Sequence, residues 1–288
     1  MFDFRYHALS LVAVFLALAI GILLGATIGD SLVSEAGKGL SSSLHQDVVN
    51  ARNEARQANS QLHQRDEVIS AALPMVVQNE LAGQRVAIIA TGSLPSSIES
   101  EVRQTVEVAG GNVDSVSVFD VPNRLADLEQ ATGGDGSVAA ERPDVVEGFG
   151  KRIARSIVNG AGISVRLHKS LPDLMRGDFN GAGSVAFYRS QPPDDETDAQ
   201  KSAREAFEKG LAEGLQAQGV QTVGVEEQGT DPSQVGWYKD RSMSSVDSVD
   251  LPGGQIALVF TLAGEKGNYG IKDGATPLPK LPIGAGGG

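Results

Sequence analysis

The sequence predicts an α/β protein built as an N-terminal transmembrane helix, a coiled-coil stalk and a Rossmann-like α/β sandwich domain. Three observations carry that reading. Ala8–Ile28 is a run of 21 residues without a charge. The polar segment behind it places small or apolar residues at alternating steps of 3 and 4. From Gly83 onward, short β-patterned runs alternate with helical ones, the pattern of a sheet covered by helices on both faces. The boundaries expected are 1–29 for a cytoplasmic head and signal-anchor helix, 30–82 for the stalk, 83–281 for an extracytoplasmic α/β domain, and 282–288 for a disordered Gly-rich tail.

As a helix, the 21 uncharged residues measure roughly 31 Å, the thickness of a hydrocarbon core. A cleaved secretory signal has a shorter apolar region, about 7–15 residues, and a small-residue cleavage site. Gly25-Ala26-Thr27 imitates such a site poorly. The sequence therefore favours an uncleaved anchor, with a cleaved signal and a buried soluble helix as the alternatives. Arg5 and the free amine precede the run, while Asp30 and Glu35 follow it. The positive-inside bias then puts the head in the cytoplasm and the bulk of the chain across the membrane. Ala13, Ala17, Gly21, Gly25 and Gly29 recur every fourth residue, a smooth stripe on one helix face. Such stripes let two membrane helices approach closely. Their bland explanation is that glycine is common in membrane helices.

In the stalk, Leu44, Val48, Ala51, Ala55, Ala58, Leu62, Ile69, Ala72 and Val76 form a heptad seam interrupted only by Arg65. The seam proper is Val48, Ala51, Ala55, Ala58, Leu62 and Ile69. An alanine-rich seam buries little area, so tethering in a membrane would have to raise the effective concentration of the strands. A single amphipathic helix lying on the outer domain is the alternative. Pro74 ends or kinks the helix in either case.

Beyond Gly83, Arg85–Ala90 reads as a buried strand and Thr91-Gly92-Ser93 as the loop after it. Ser96 with Glu99 has capping-box spacing for a helix ending at Gly110-Gly111. Val113–Phe119 completes a βαβ unit with parallel strands. Residues 131–143 read as a glycine-rich loop, with Pro143 opening a helix to about Asn159. Val185–Tyr188 and Val220–Val225 read as strands, Thr197–Gln218 as a helix, and the apolar Ile256–Leu262 as a helix rather than a strand. The chain from Pro277 on is expected to be disordered.

The charge of -12 argues against a nucleic-acid partner, and the absence of cysteine excludes thiolate chemistry and disulfides. Two GxGxxA matches, at 134–139 and 181–186, lack the strand–turn–helix order of a dinucleotide site. Thr91, Gly92 and Ser93, between a strand and a helix N-terminus, are a candidate anion site, the alternative being an ordinary turn. His168 is expected on the surface, and Asp194, Asp195 and Glu196 are expected as solvated charges rather than cation ligands. No catalytic nucleophile–base pair and no resident cofactor are evident. The partners expected are a lipid bilayer and further copies of the chain.

Residues 4–25, the heptad stalk, LAGQRVAIIAT at 81–91 and the segment 244–275 together resemble the mycobacterial copper transport protein B family. The likeness runs from Phe4 to about Leu281. It implies an actinobacterial envelope protein associated with copper efflux and resistance, described for the family as an outer-membrane channel. Copper is thus implied by the family alone. Cu(I) favours clustered Cys, Met or His, yet Met1, Met75, Met175, Met243, His7, His45, His63 and His168 are scattered along the chain. The reading of the residues also leaves open an envelope scaffold or small-ligand-binding module without direct copper chemistry.

Overall fold

A computed structural model of the chain describes residues 4–134 and 142–280; along the first helix, side chains are described at 8–25 and from 44 onward. The chain divides into two compact units, Met1–Arg65 and Asp66–Gly288.

The first unit is helical. It is the larger part of α1 (Phe4–Val76), a helix of 73 residues. Within it, Ala8–Gly25 is long and apolar enough to cross a membrane, and none of that stretch is buried. Phe15 and Leu23 are exposed, and the positions where Gly21 and Gly25 would carry a Cβ face open space. Farther along, the seam residues Val48, Ala51, Ala55, Ala58 and Leu62 are all exposed as well.

In the second unit the last turns of α1 behave differently. Ile69 and Val76 pack against an apolar core, where Leu73 and the following Val77 and Leu81 are buried. Ile69, expected in a seam between chains, is thus taken up by the unit itself. The helix ends at Val76, two residues past Pro74, which has no N–H to continue the ladder.

The sheet of this unit has seven strands. They are β1 (Arg85–Thr91), β2 (Asn112–Phe119), β3 (Met175–Gly177), β4 (Ser184–Arg189), β5 (Gln221–Val225), β6 (Ser244–Val246) and β7 (Asn268–Tyr269). Their spatial order is β3-β2-β1-β4-β5-β6-β7. All neighbours pair in parallel except β3, which runs antiparallel to β2. Between Val86 and Ala87 the register with β2 skips Asp114, a bulge.

Side chains alternate across the sheet with period 2. Val86, Ile88 and Ala90 of β1 join one core, whereas Ala87 and Ile89 join the other. The first core is covered by the end of α1, by α2 (Ser96–Val108) and by α8 (Pro252–Ala263). The second is covered by α3 (Leu125–Ala131), α4 (Pro143–Asn159), α5 (Ile163–Ser170), α6 (Asp198–Ala217) and α7 (Val235–Asp240). At 12 residues, α8 spans about 18 Å, too short for a membrane, and its apolar side chains are buried almost all round.

Helices α4 and α6 pack backbone to backbone. A Cβ on Gly210 would stand 2.1 Å from the Glu147 carbonyl oxygen, and one on Gly150 would stand 2.6 Å from that of Phe207. Only glycine permits that approach.

Two expectations need correction. Ser96 does not cap α2: Pro95 holds the N-cap position, the hydroxyl of Ser97 goes to Glu227, and Glu99 accepts from Arg103 and Arg176 instead. The chain is also folded beyond Pro277, since Pro279 is buried behind the pairing of Thr276 with Asn268. The expected tail 282–288 and most of the GxGxxA match at 134–139 lie outside the described residues.

Candidate functional site

Chain order and sheet order part company between β1 and β4. The chain builds outward from β1 through β2 to β3, then returns to the other side of β1 and builds outward again. From these two adjacent strands, α2 departs to one face of the sheet and α6 to the other. The loops that follow the strands therefore separate, leaving a crevice at their C-terminal ends. Open parallel sheets bind ligands at this place.

A cavity of about 420 Å³ occupies the crevice. Its walls are Gly92 and Ser93 after β1, residues 120–123 after β2, the loop from Ser190 after β4, and the first turns of α6. The entry of α6 is fixed by a true capping box. The Thr197 hydroxyl accepts from the Gln200 N–H at 3.3 Å, and the Gln200 side chain accepts from the Thr197 N–H at 2.9 Å.

Beneath the cavity lies a buried charge network. Glu208, 1% exposed, accepts from Arg189 Nε at 2.7 Å, from Arg204 Nη1 at 3.2 Å and from the Thr91 hydroxyl at 3.1 Å. Arg204 also grips Glu196 through two hydrogen bonds of 2.7 and 2.9 Å, a fork-to-fork pair. That pair holds the Glu196 carboxyl below the usual carboxylate range and keeps the Arg204 guanidinium firmly protonated. Arg189 extends the network, donating to the side chain of Gln234 and lying over Trp237 at 5.3 Å. The charges of the floor thus satisfy one another.

A second polar cluster closes the ends of β5 and β6. Glu226 accepts from the Ser233 hydroxyl at 2.7 Å, the Gln234 N–H at 2.6 Å and the Lys272 ammonium at 2.7 Å. Asp247, fully buried, accepts the backbone N–H groups of Ile271 and Lys272. Both carboxylates are occupied in clasping the C-terminal segment.

Of the residues singled out in the sequence, Gly92 and Ser93 line the crevice, and Thr91 lies at its floor. Three of their donors are already engaged: Gly92 N–H with the Phe119 carbonyl, Ser93 N–H with the Ser190 hydroxyl, and the Thr91 hydroxyl with Glu208. From the acidic loop, Asp195 and Glu196 line the crevice, while Asp194 and Asp195 are both exposed. Sequence reasoning missed Asp120, Arg189, Arg204 and Glu208. A carboxylate directly after a strand, as at Asp120, was the available signal; the partners of Glu208 come from β1, β4 and α6.

His168 is half-buried, its Nδ1 donating to the Met175 carbonyl at 2.8 Å beside the Phe179 ring. Met175 and Met243 contribute to the apolar core, at 0% and 5% exposure. Among the described residues, no three His, Asp or Glu side chains gather as a metal-holding group.

No curated protein matches the chain. A family model described as copper transport outer membrane protein, MctB, matches residues 1–279, nearly the whole chain. With its apolar N-terminal helix and mostly parallel seven-stranded sheet, the chain belongs to that family of copper transport outer membrane proteins.

Proposed function

We propose that this protein is a single-pass anchored envelope component of copper transport that works as an assembly of several copies. In this reading the short head lies on the cytoplasmic side and the α/β unit on the other. The observation that carries the proposal is the state of α1. Its apolar span and the seam from Val48 to Leu62 are bare along their length, although the same heptad stripe packs into a core from Ile69 onward. A stripe of exposed alanine, valine and leucine on a polar helix calls for a partner, and a second copy carries the matching stripe. The bare Gly21 and Gly25 offer the span a close-packing face of the kind α4 and α6 use within the fold. One helix cannot enclose a path for an ion, so copper handling by such a chain belongs to the assembly.

The anchoring is tested with Ser60→Cys, clean in a chain without cysteine. The protein is expected to stay with membranes through an alkaline carbonate wash. The new thiol is expected to react with an impermeant maleimide on intact cells. Release by carbonate, or labelling only after permeabilisation, would overturn the anchoring or its direction.

A second reading, favoured by the 420 Å³ cavity at the switch between β1 and β4, is that the α/β unit binds a small ligand. The two readings are compatible, because the crevice and α1 share no residue.

A further inference from the structure

The crevice has a definite electrostatic sign. Resting on the reading that it is a ligand site, we infer that its ligand is a small organic cation of the aliphatic diamine or polyamine class. The charges at the cavity do not cancel. Glu196 is neutralised by Arg204, and the remaining arm of Arg204 goes to Glu208. Lysine and a second arginine are missing from the lining. Asp120 accepts one bond, from the Asn123 side chain at 3.0 Å, which leaves its other oxygen free. Asp195 has no hydrogen bond or ion pair among the described residues. Two residues of the cavity lining, Asp120 and Asp195, thus carry carboxylates with no ion-pair partner among the described residues.

The two carboxylates come from different loops of the crevice. Asp120 follows β2 and Asp195 follows β4, and β1 lies between those strands. The two loops therefore start about 10 Å apart, on either side of β1, with Asp195 farther along its loop than Asp120. A molecule with an ammonium at each end of an aliphatic chain answers both carboxylates at once. From the same loops, the rings of Pro122, Pro192 and Pro193 supply apolar wall for the chain. The Ser93 and Ser190 hydroxyls and the Gln200 side chain add hydrogen-bonding groups. An anion meets the opposite situation, since the Thr91 hydroxyl and the backbone N–H groups of Gly92 and Ser93 are engaged and the two carboxylates repel it.

Three probes of one length separate charge from shape: 1,4-diaminobutane, 1,4-butanediol and succinate. Each is titrated calorimetrically into the full chain in phosphatidylcholine nanodiscs. The diamine is expected to give saturable binding and the diol and succinate none. The Asp120→Asn/Asp195→Asn double variant is expected to weaken the diamine at least tenfold. Asn123→Trp, which fills the cavity from an exposed loop, is expected to abolish its binding, with circular dichroism verifying the fold of both variants. Diamine affinity unchanged in the double variant would overturn the inference. Binding of succinate or the diol instead, lost in Asn123→Trp, would overturn the charge assignment and keep the crevice as a site. No binding by any probe would remove both.

Discussion

At the residue scale, Glu208 shows how much depends on single buried charges. Its carboxylate ties β1, β4 and α6 together through Thr91, Arg189 and Arg204. Removing one partner from a buried pair leaves the other charge uncompensated, which costs about 3–5 kcal/mol. Glu208→Ala is therefore expected to lower the urea unfolding free energy by about that amount, whereas Asp195→Asn on the exposed loop is expected to change it by less than about 0.5 kcal/mol. Glu196 makes a pH prediction. Its folded pKa is lowered by Arg204, so its contribution to stability is present above the unfolded value near 4.5 and is lost as pH falls through the lower folded value. Between pH 7 and pH 4 the parent protein is expected to lose more stability than Glu196→Gln, as read from urea midpoints at the two pH values. Equal losses would show that the pair adds no acid sensitivity.

At the scale of elements, α4 and α6 give a paired prediction. Gly210→Ala drives a Cβ into the Glu147 carbonyl of the facing helix, so α4 and α6 must separate. Gly148, next to Glu147 on α4 but on another face of the helix, has nothing within 4 Å of a Cβ. Gly148→Ala is expected to stabilise by about 0.5–1 kcal/mol through helix propensity, and Gly210→Ala to destabilise by about 2 kcal/mol in spite of the same gain. Thermal melts of the two variants check the sign of each.

Elements with strong local signals were legible in the sequence. Pro143 starts α4, a helix from about Thr197 is α6, and the runs around Ile88 and Phe187 are strands. Short elements were not: β3, β6 and β7 have 3, 3 and 2 residues, too few for a period, and they exist because a neighbouring strand offers its edge. The Ser96 box failed for a related reason. Glu99 found stronger partners in Arg103 and Arg176, the second supplied by a strand 77 residues away. The crevice was half legible. The loop at Gly92 could be read from its position after β1, but Asp120, Arg189 and Glu208 join it through sheet order, and that order is a property of the folded sheet.

At the scale of the whole molecule, the sequence places two kinds of helix surface on one element. Over Ala8–Gly25 and at the seam residues Val48 to Leu62, α1 exposes its apolar side chains, and from Ile69 to Val76 the stripe is packed within the α/β unit. In the proposed assembly the exposed part is covered by another copy. The most direct test uses the chain's lack of cysteine. Ala55→Cys and Ala58→Cys lie on the seam, whereas Asn53→Cys lies on the opposite side of the heptad. Each full-length variant is oxidised in its membrane and run on a denaturing gel without reductant. Covalent dimers are expected from the two seam positions and monomer from Asn53→Cys. Monomer from all three, or dimer from all three alike, would contradict the proposed assembly.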